Sequence, residues 1–275
     1  MDCPVRDINI HYKVFGEGKP IIFIHGFGID HHAITGCMEP IFENLNGWKR
    51  IYFDLPGMGK SESKPCISNC DIMLDLISQF IDKVIPDENF VLFGQSYGGY
   101  LARGLVRDRP DAIDGLFLLC PVIIPEHGKR TVPDHTPLVR DESFLLTLGQ
   151  DEKVDFESTS VVLTEHAWKR TQNEIQVGCD LADQAFLTKF VDEGYTFSFD
   201  VDSLPTAFEA PTLIMTGRQD AVVGSQDALN ILKNYPRATF AMLDRAGHNL
   251  QIEQETLFGQ LVTEWLDRVE ERSIQ

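Results

Sequence analysis

Three side chains that could share one reaction lie far apart in this chain: Ser96, Asp220 and His248. Ser96 sits in Gly94-Gln95-Ser96-Tyr97-Gly98-Gly99, between a short apolar run and a helical pattern. A hydroxyl is a poor nucleophile at neutral pH and needs a base beside it. His248, in Ala246-Gly247-His248-Asn249, directly follows the last expected strand, which puts it at the same sheet edge as Ser96. The other seven histidines, at 11, 25, 31, 32, 127, 135 and 166, do not follow a late strand in this way. An imidazole base needs an acid to fix its tautomer and stabilise its charged form. Asp220, in Gly217-Arg218-Gln219-Asp220, follows the preceding strand and lies 28 residues before His248, with Asp244 as a rival. His25-Gly26-Phe27-Gly28 follows an early strand. Its Phe27 N–H could join the Tyr97 N–H, at a helix N-terminus, in holding an oxyanion. Losing one such donor typically costs about 2.7–4 kcal/mol of transition-state stabilisation.

These residues also have plainer readings. Ser96 could be a helix N-cap, His248 a capping or core-edge histidine and Asp220 a turn residue. His25 is expected to bond loop backbone below the oxyanion site, and Asp54-Leu55-Pro56-Gly57 to be a turn. His31-His32 has the form of a metal pair, but the sequence offers no other ligand, so a solvated or pocket-lining role is expected. Trp168, Phe144 and Phe186 are expected in a local core more than as substrate clamps.

The elements that would carry these groups alternate. Ile8, Ile10, Tyr12 and Val14 alternate with polar residues as in a half-exposed strand. The runs 20–24 (PIIFI), 50–53 (RIYF), 90–93 (FVLF) and 115–119 (GLFLL) suit strands buried on both faces of a parallel sheet, and 211–216 (PTLIMT) and 239–243 read as further strands. Between them, Met73, Leu76, Ile77, Phe80, Ile81 and Val84 recur at helical spacing, with a capping box expected from Ser68 and Asp71. A helix follows Ser96 and should stop near Arg109, before Pro110. Ala228, Leu229, Leu232 and Tyr235 form a helix face, and Leu257, Leu261, Val262, Trp265, Leu266 and Val269 a closing amphipathic helix. Alternation of this kind implies parallel pairing with right-handed crossovers.

The alternation breaks between 122 and 208, where helical segments (144–148, 161–168, 181–191) occur without a buried strand. That stretch holds 16 acidic and 7 basic residues, half of the chain's net charge. It reads as an insertion on the sheet, giving a core of 1–121 and 209–275 with a helical cap of 122–208.

Composition bounds the function. The chain has 275 residues, 43% hydrophobic and 24% charged, enough for a large α/β core. Its net charge of −18 argues against nucleic acid and against anionic membrane surfaces. No apolar run approaches the roughly 20 residues that span a bilayer. The first residues lack a secretory pattern, so a cytoplasmic protein is expected, with its cysteines at 3, 37, 66, 70, 120 and 179 as free thiols.

The motifs together resemble the α/β-hydrolase superfamily, of the cap-bearing kind with a serine nucleophile. The matching segments are HGFG at 25–28, DLPGMGKS at 54–61, GQSYGG at 94–99, GRQDAVV at 217–223 and AGHNL at 246–250, in the superfamily's order of Ser, Asp and His. The resemblance implies a mostly parallel eight-stranded sheet flanked by helices, nucleophile Ser96, acid Asp220, base His248, oxyanion donors Phe27 and Tyr97, and no cofactor or metal. Position 96 is Ser, which argues against the halide-displacing relatives with their Asp nucleophile. Cys120-Pro121 stands where an alternative acid would follow the strand ending at Leu119.

The expected activity is hydrolysis of a small acyl compound, most readily a carboxylic ester, through an acyl-enzyme. Three alternatives share the motifs. One is an aminopeptidase of the proline-releasing type, with Glu165 or Glu174 holding a substrate amine. Another is a carbon–carbon bond hydrolase acting on vinylogous diketones. The third is a ligand sensor with little turnover. A small-molecule substrate and a monomer or homodimer are expected, since no tail, linker or repeat calls for another partner.

Overall fold

The computed structural model describes residues 1–274, so the expected core bound at Gln275 lies outside the described residues. Eight strands form one sheet: β1 (Asp2–Val5), β2 (Ile8–Phe15), β3 (Lys19–Ile24), β4 (Trp48–Phe53), β5 (Phe90–Gln95), β6 (Ile113–Leu119), β7 (Thr212–Gly217) and β8 (Ala238–Leu243). Their spatial order is β1-β2-β4-β3-β5-β6-β7-β8, antiparallel at β1 and β2 and parallel from β4 onward. This is the expected α/β architecture. The continuous apolar runs are central strands: Ile21 to Ile24, Val91 to Phe93 and Leu116 to Leu118 are all fully buried.

Helices α1 (His32–Phe42), α2 (Cys70–Val84) and α3 (Tyr97–Asp108) follow β3, β4 and β5. Because side chains alternate along a strand, neighbours on β4 report the two layers. The Tyr52 hydroxyl donates to Glu39 of α1 at 2.6 Å, while Phe53 packs its ring on Phe80 of α2 at 4.7 Å. On the α1 side the C-terminal helix, Glu255–Ile274, sets Trp265 against Phe117, and the Trp265 indole N–H donates to Pro211 O at 3.1 Å.

Between β6 and β7 lie α4 (Gln150–Thr159), α5 (the helical run 165–181) and α6 (Gln184–Glu193). The C-terminal helix is thus α7. Residues 122–208 supply none of the eight strands. They hold a satellite core of Leu145, Phe156, Leu163 and Ala167, joined by Ile252 from the chain after His248. Fully buried Arg103 of α3 grips Asp202 through two hydrogen bonds of 3.0 and 2.6 Å.

Several local expectations change. The N-cap of α2 is Asn69, whose side chain accepts from Ile72 N–H at 3.0 Å; Asp71 instead accepts from Ser198 N–H at 3.1 Å, so Ser68 and Asp71 form no capping box. The helix over 227–234 is 3₁₀. Its period of three turns Ala228 and Ile231 inward and leaves Leu229 outside, against the face expected at α spacing. Strand β1 is too short and Pro-bearing for its pattern to stand out. A two-residue parallel ladder, Val139–Arg140 with Val162–Leu163, replaces the expected start of a helix at 161, and α4 forms without an apolar stripe.

The packing is too tight for a side chain where β3, β5 and α3 converge. A Cβ on Gly98 would meet Ile24 O at 2.2 Å, and one on Gly94 would meet Gly98 O at 2.4 Å. Gly98→Ala is therefore expected to destabilise the protein by about 1–3 kcal/mol, the usual range for overpacking. Thermal unfolding followed by circular dichroism should show a midpoint several degrees lower; an unchanged melt would contradict this packing.

Candidate active site

Ser96 stands alone between the end of β5 and the first residue of α3. Its φ of +54° and ψ of −118° belong to neither element. A non-glycine residue in such a conformation carries strain of about 1–3 kcal/mol. The surroundings hold it there: Ser96 N–H donates to Leu119 O at 2.9 Å, and Ser96 O accepts from Gly99 N–H (3.0 Å) and Val122 N–H (2.9 Å). The glycines at 94 and 98 let strand and helix close on the turn from both sides.

His248 and Asp220 arrive on the loops after β8 and β7. His248 Nε2 lies 2.9 Å from Ser96 Oγ, and His248 Nδ1 lies 2.9 Å from Asp220 Oδ2. The carboxylate can only accept, so Nδ1 must donate and Nε2 is left to accept from the serine hydroxyl. Asp220 is fully buried. Burial opposes its ionisation, but the adjacent imidazole and the Val222 and Val223 N–H groups (2.8 and 3.0 Å to Oδ1) outweigh it and hold the carboxyl below its ordinary range. The rival Asp244 instead accepts from Gln219 Nε2 at 2.9 Å. Gln219 Oε1 also accepts from Ala246 N–H at 3.1 Å, tying the two loops together.

On the opposite side of Ser96, the 25–28 loop passes over the start of α3. Among the described residues, neither Phe27 N–H nor Tyr97 N–H donates to a protein acceptor, and their rings pack edge to face at 5.3 Å. Gly26 N–H donates to Gln95 Oε1 at 3.3 Å, fixing the loop to the residue before the serine. Beneath it His25 does what its position suggested: Nδ1 bonds Gly26 O at 2.7 Å and Nε2 accepts from Leu55 N–H at 2.9 Å. Burial pushes its pKa down, in keeping with a neutral ring.

The His31-His32 pair has the partners that spacing alone did not reveal. His31 Nδ1 lies 2.7 Å from Asp54 Oδ1, and His32 Nδ1 lies 3.0 Å from Asp30. Asp54 also accepts from His31 N–H (3.0 Å) and Lys60 N–H (2.9 Å). Burial works against its charge, yet these donors and the neighbouring imidazoles bring its carboxyl down to about 2. Asp54 is thus the anchor beneath the 25–31 loop, a larger part than the turn residue expected.

Above Ser96 and His248 opens a cavity of about 670 Å³. Phe27 and Ile29 form its floor, and α4 and α5 its far wall through Asp155, Phe156, Trp168 and Ile175. The wall turns π-helical over Thr171–Gln176, and four residues of that stretch face the cavity. Asp151, Glu152 and Asp155 line it, the Glu152 carboxylate also accepting from Gly149 N–H at 2.9 Å, whereas no Lys or Arg lines the cavity among the described residues. Glu165 and Glu174 do not line it. Glu165 pairs with Lys169 at the surface, and Glu174 is clamped by Arg170 at 2.6 and 2.8 Å against Gly36. Of the three aromatics, Trp168 lines the cavity and packs on Phe156, Phe144 stays in the satellite core, and Phe186 packs on Phe190 and Gly57.

A hydroxyl, an imidazole and a carboxylate in series, opening into a cavity beside two N–H groups, can support nucleophilic attack on a carbonyl carbon. Comparison with known proteins bears on the family. The sequence model of a family described as alpha/beta hydrolase fold matches residues 19–255. The chain is similar to a 2-hydroxy-6-oxononadienedioate/2-hydroxy-6-oxononatrienedioate hydrolase of Paraburkholderia phymatum (24% identity, 94% of this chain and 91% of the relative). It is also similar to a pimeloyl-[acyl-carrier protein] methyl ester esterase of Legionella pneumophila (23%, 94% and 100%). Among solved structures, an alpha/beta superfamily hydrolase from Oenococcus oeni PSU-1 superposes with a TM-score of 0.88 at 32% identity, covering 98% of this chain and 99% of that one.

Asp220→Asn keeps the shape but lets the amide donate where the imidazole must, so turnover is expected to fall by roughly 10⁴-fold. The sign of the stability effect follows from the lowered carboxyl. Its contribution is present above the unfolded carboxylate value of about 3.9 and is lost as pH falls through the lower folded value. Denaturant melts of variant and parent should therefore differ most near neutral pH and converge below about pH 4.

Proposed function

The chain belongs to the alpha/beta hydrolase fold family, and from that premise we propose that it is a serine hydrolase cleaving a small, uncharged carboxylic ester. The observation that carries the reading is the unbroken series Ser96 Oγ, His248 Nε2, His248 Nδ1 and Asp220 Oδ2, with 2.9 Å at each of its two hydrogen bonds. Ser96 attacks the carbonyl carbon as His248 takes its proton, and buried Asp220 stabilises the resulting imidazolium. The Phe27 and Tyr97 N–H groups receive the oxyanion. The imidazolium then protonates the departing alkoxide, leaving an acyl-Ser96. A water deprotonated by His248 attacks the acyl carbon and releases the acid. Residues 1–121 and 209–275 act as the hydrolase core, and 122–208 as a helical cap that shapes the cavity.

The charge of the cavity favours this substrate over a dianionic one. A dioate such as that named for the Paraburkholderia relative carries two carboxylates. Here Asp151, Glu152 and Asp155 would repel them, with no cationic side chain on the lining to offset this. The aminopeptidase reading loses support from Glu165 and Glu174, which are held elsewhere by Lys169 and Arg170. A sensor with little turnover has no need of so complete an alignment of base and nucleophile.

Ser96→Ala is expected to lower p-nitrophenyl acetate turnover by at least about 10³-fold; undiminished activity would end the reading. Between two esters of equal acyl length, the one ending in a carboxylate should show a kcat/KM at least about 10-fold lower than the neutral one. Asp155→Asn, or raised salt, should narrow that gap. Equal rates for both esters would leave the cavity charge without a role in selection.

A further inference from the structure

The chain after His248 makes a short turn, Leu250–Glu253, before α7. Its last residue reaches back: Gly247 N–H donates to Glu253 Oε2 at 2.5 Å. The other oxygen faces the helical segment, where Val161 N–H donates to Oε1 at 2.6 Å and Val162 N–H at 3.4 Å. One carboxylate thus joins the residue before His248 to the extended stretch 161–163, which follows directly on α4. That helix carries Asp155, Phe156 and Thr159 on the cavity wall. The neighbouring Ile252 is buried in the satellite core with Phe156 and Leu163, so two successive residues fasten the same junction, one by apolar packing and one by charge-assisted hydrogen bonds. The contact is close enough that a Cβ on Gly247 would meet Val161 Cγ2 at 2.9 Å.

We propose that Glu253 is a positioning residue for the reaction, a strap that makes the placement of the His248 imidazole and of the α4 wall a single arrangement. The proposal rests on His248 being the base of the hydrolase read above. Its chemistry follows from the two ends of the carboxylate. Gly247 directly precedes His248, and the imidazole must meet Ser96 Oγ and Asp220 Oδ2 at 2.9 Å on both sides. A shift of about 1 Å in a positioned group costs as much as 10²-fold in rate. The Glu253 carboxylate answers N–H groups at both ends because both its oxygens accept. Gln offers one acceptor and one donor, so at one end two donors would face each other. Glu253 also stands near two other ionisable groups of the same junction, Asp220 and Cys120. Burial pushes its carboxyl up, with the three N–H donors acting against that rise.

The test compares the parent with Glu253→Gln, Glu253→Asp and, as a surface control, exposed Glu270→Gln. Esterase rates are measured per active site titrated with a fluorophosphonate, alongside thermal melts and Ser96→Ala. Glu253→Gln is expected to lower kcat per titrated site by roughly 10–100-fold with KM changed by no more than about 2-fold. Glu253→Asp keeps both acceptors on a shorter arm and should recover part of that loss; Glu270→Gln should behave as the parent. A purely structural role would lower the melting point or the titratable fraction and leave kcat per site alone, and that result overturns the proposal. So does a change confined to KM. If Glu253→Gln does not fold, an unaltered kcat per site in Glu253→Asp overturns it. Activity that survives Ser96→Ala would instead strike the hydrolase reading beneath it.

Discussion

The structure turns on a close approach that only bare backbone allows. Where β5 gives way to α3, the strand before the turn, the helix after it and the neighbouring β3 come within contact distance of one another, and Ser96 is held at positive φ between them. The strain is local and the restraint is not. It comes from hydrogen bonds with Leu119 at the end of the next strand and Val122 just beyond it, and from carbonyl groups of residues 24 and 25 lying against Gly98. A hydroxyl pinned in this way cannot relax into the helix as an N-cap, so the plainer reading of Ser96 fails on geometry: its side chain caps nothing.

Buried Asp54 and Asp220 and half-buried Glu253 hold the loops around that turn, and backbone N–H groups answer each of them. Asp54 anchors the loop bearing Phe27, Asp220 orients His248, and Glu253 fastens the His248 turn. A buried charge is costly unless it is paired and hydrogen-bonded. Ordered backbone donors help to meet that requirement, with one imidazole facing the serine and another bracing the loop. The outcome differs from site to site. In Asp54 and Asp220 donors and imidazoles prevail over burial and the carboxyl is lowered, whereas in Glu253 burial prevails and it is raised.

The segment between β6 and β7 supplies the other half of the site. It brings acidic residues, an aromatic wall and a π-helical stretch over a sheet edge that would otherwise lie open. Much of the chain's negative charge lies in this segment. Its acids do not share one role. Some are consumed in ion pairs, as with Glu174 on Arg170 and Asp202 on Arg103, and only a few face the cavity.

Legibility in the sequence followed the range of the forces involved. The central strands were readable because burial on both faces demands unbroken apolar runs. The serine turn was readable because its sterics demand glycine two positions to either side, and both signals are local. The N-terminal strand, the 3₁₀ turn at 227–234 and the cap of α2 were misread or missed where a few residues of weak pattern leave neighbours in space to decide. Asp54 looked like a turn residue because its partners at 31 and 60 are set by folding. So too with the carboxylates of the helical segment: sequence counted them but could not say which were neutralised. By itself the chain determined its α/β alternation and the residue types at three sheet-edge loops. Only the tertiary structure decided that imidazole, hydroxyl and carboxylate meet at hydrogen-bonding distance, that Glu253 joins the histidine turn to the helical segment, and which acids face the cavity. Those outcomes rest on contacts between residues up to 152 positions apart, which no local pattern encodes.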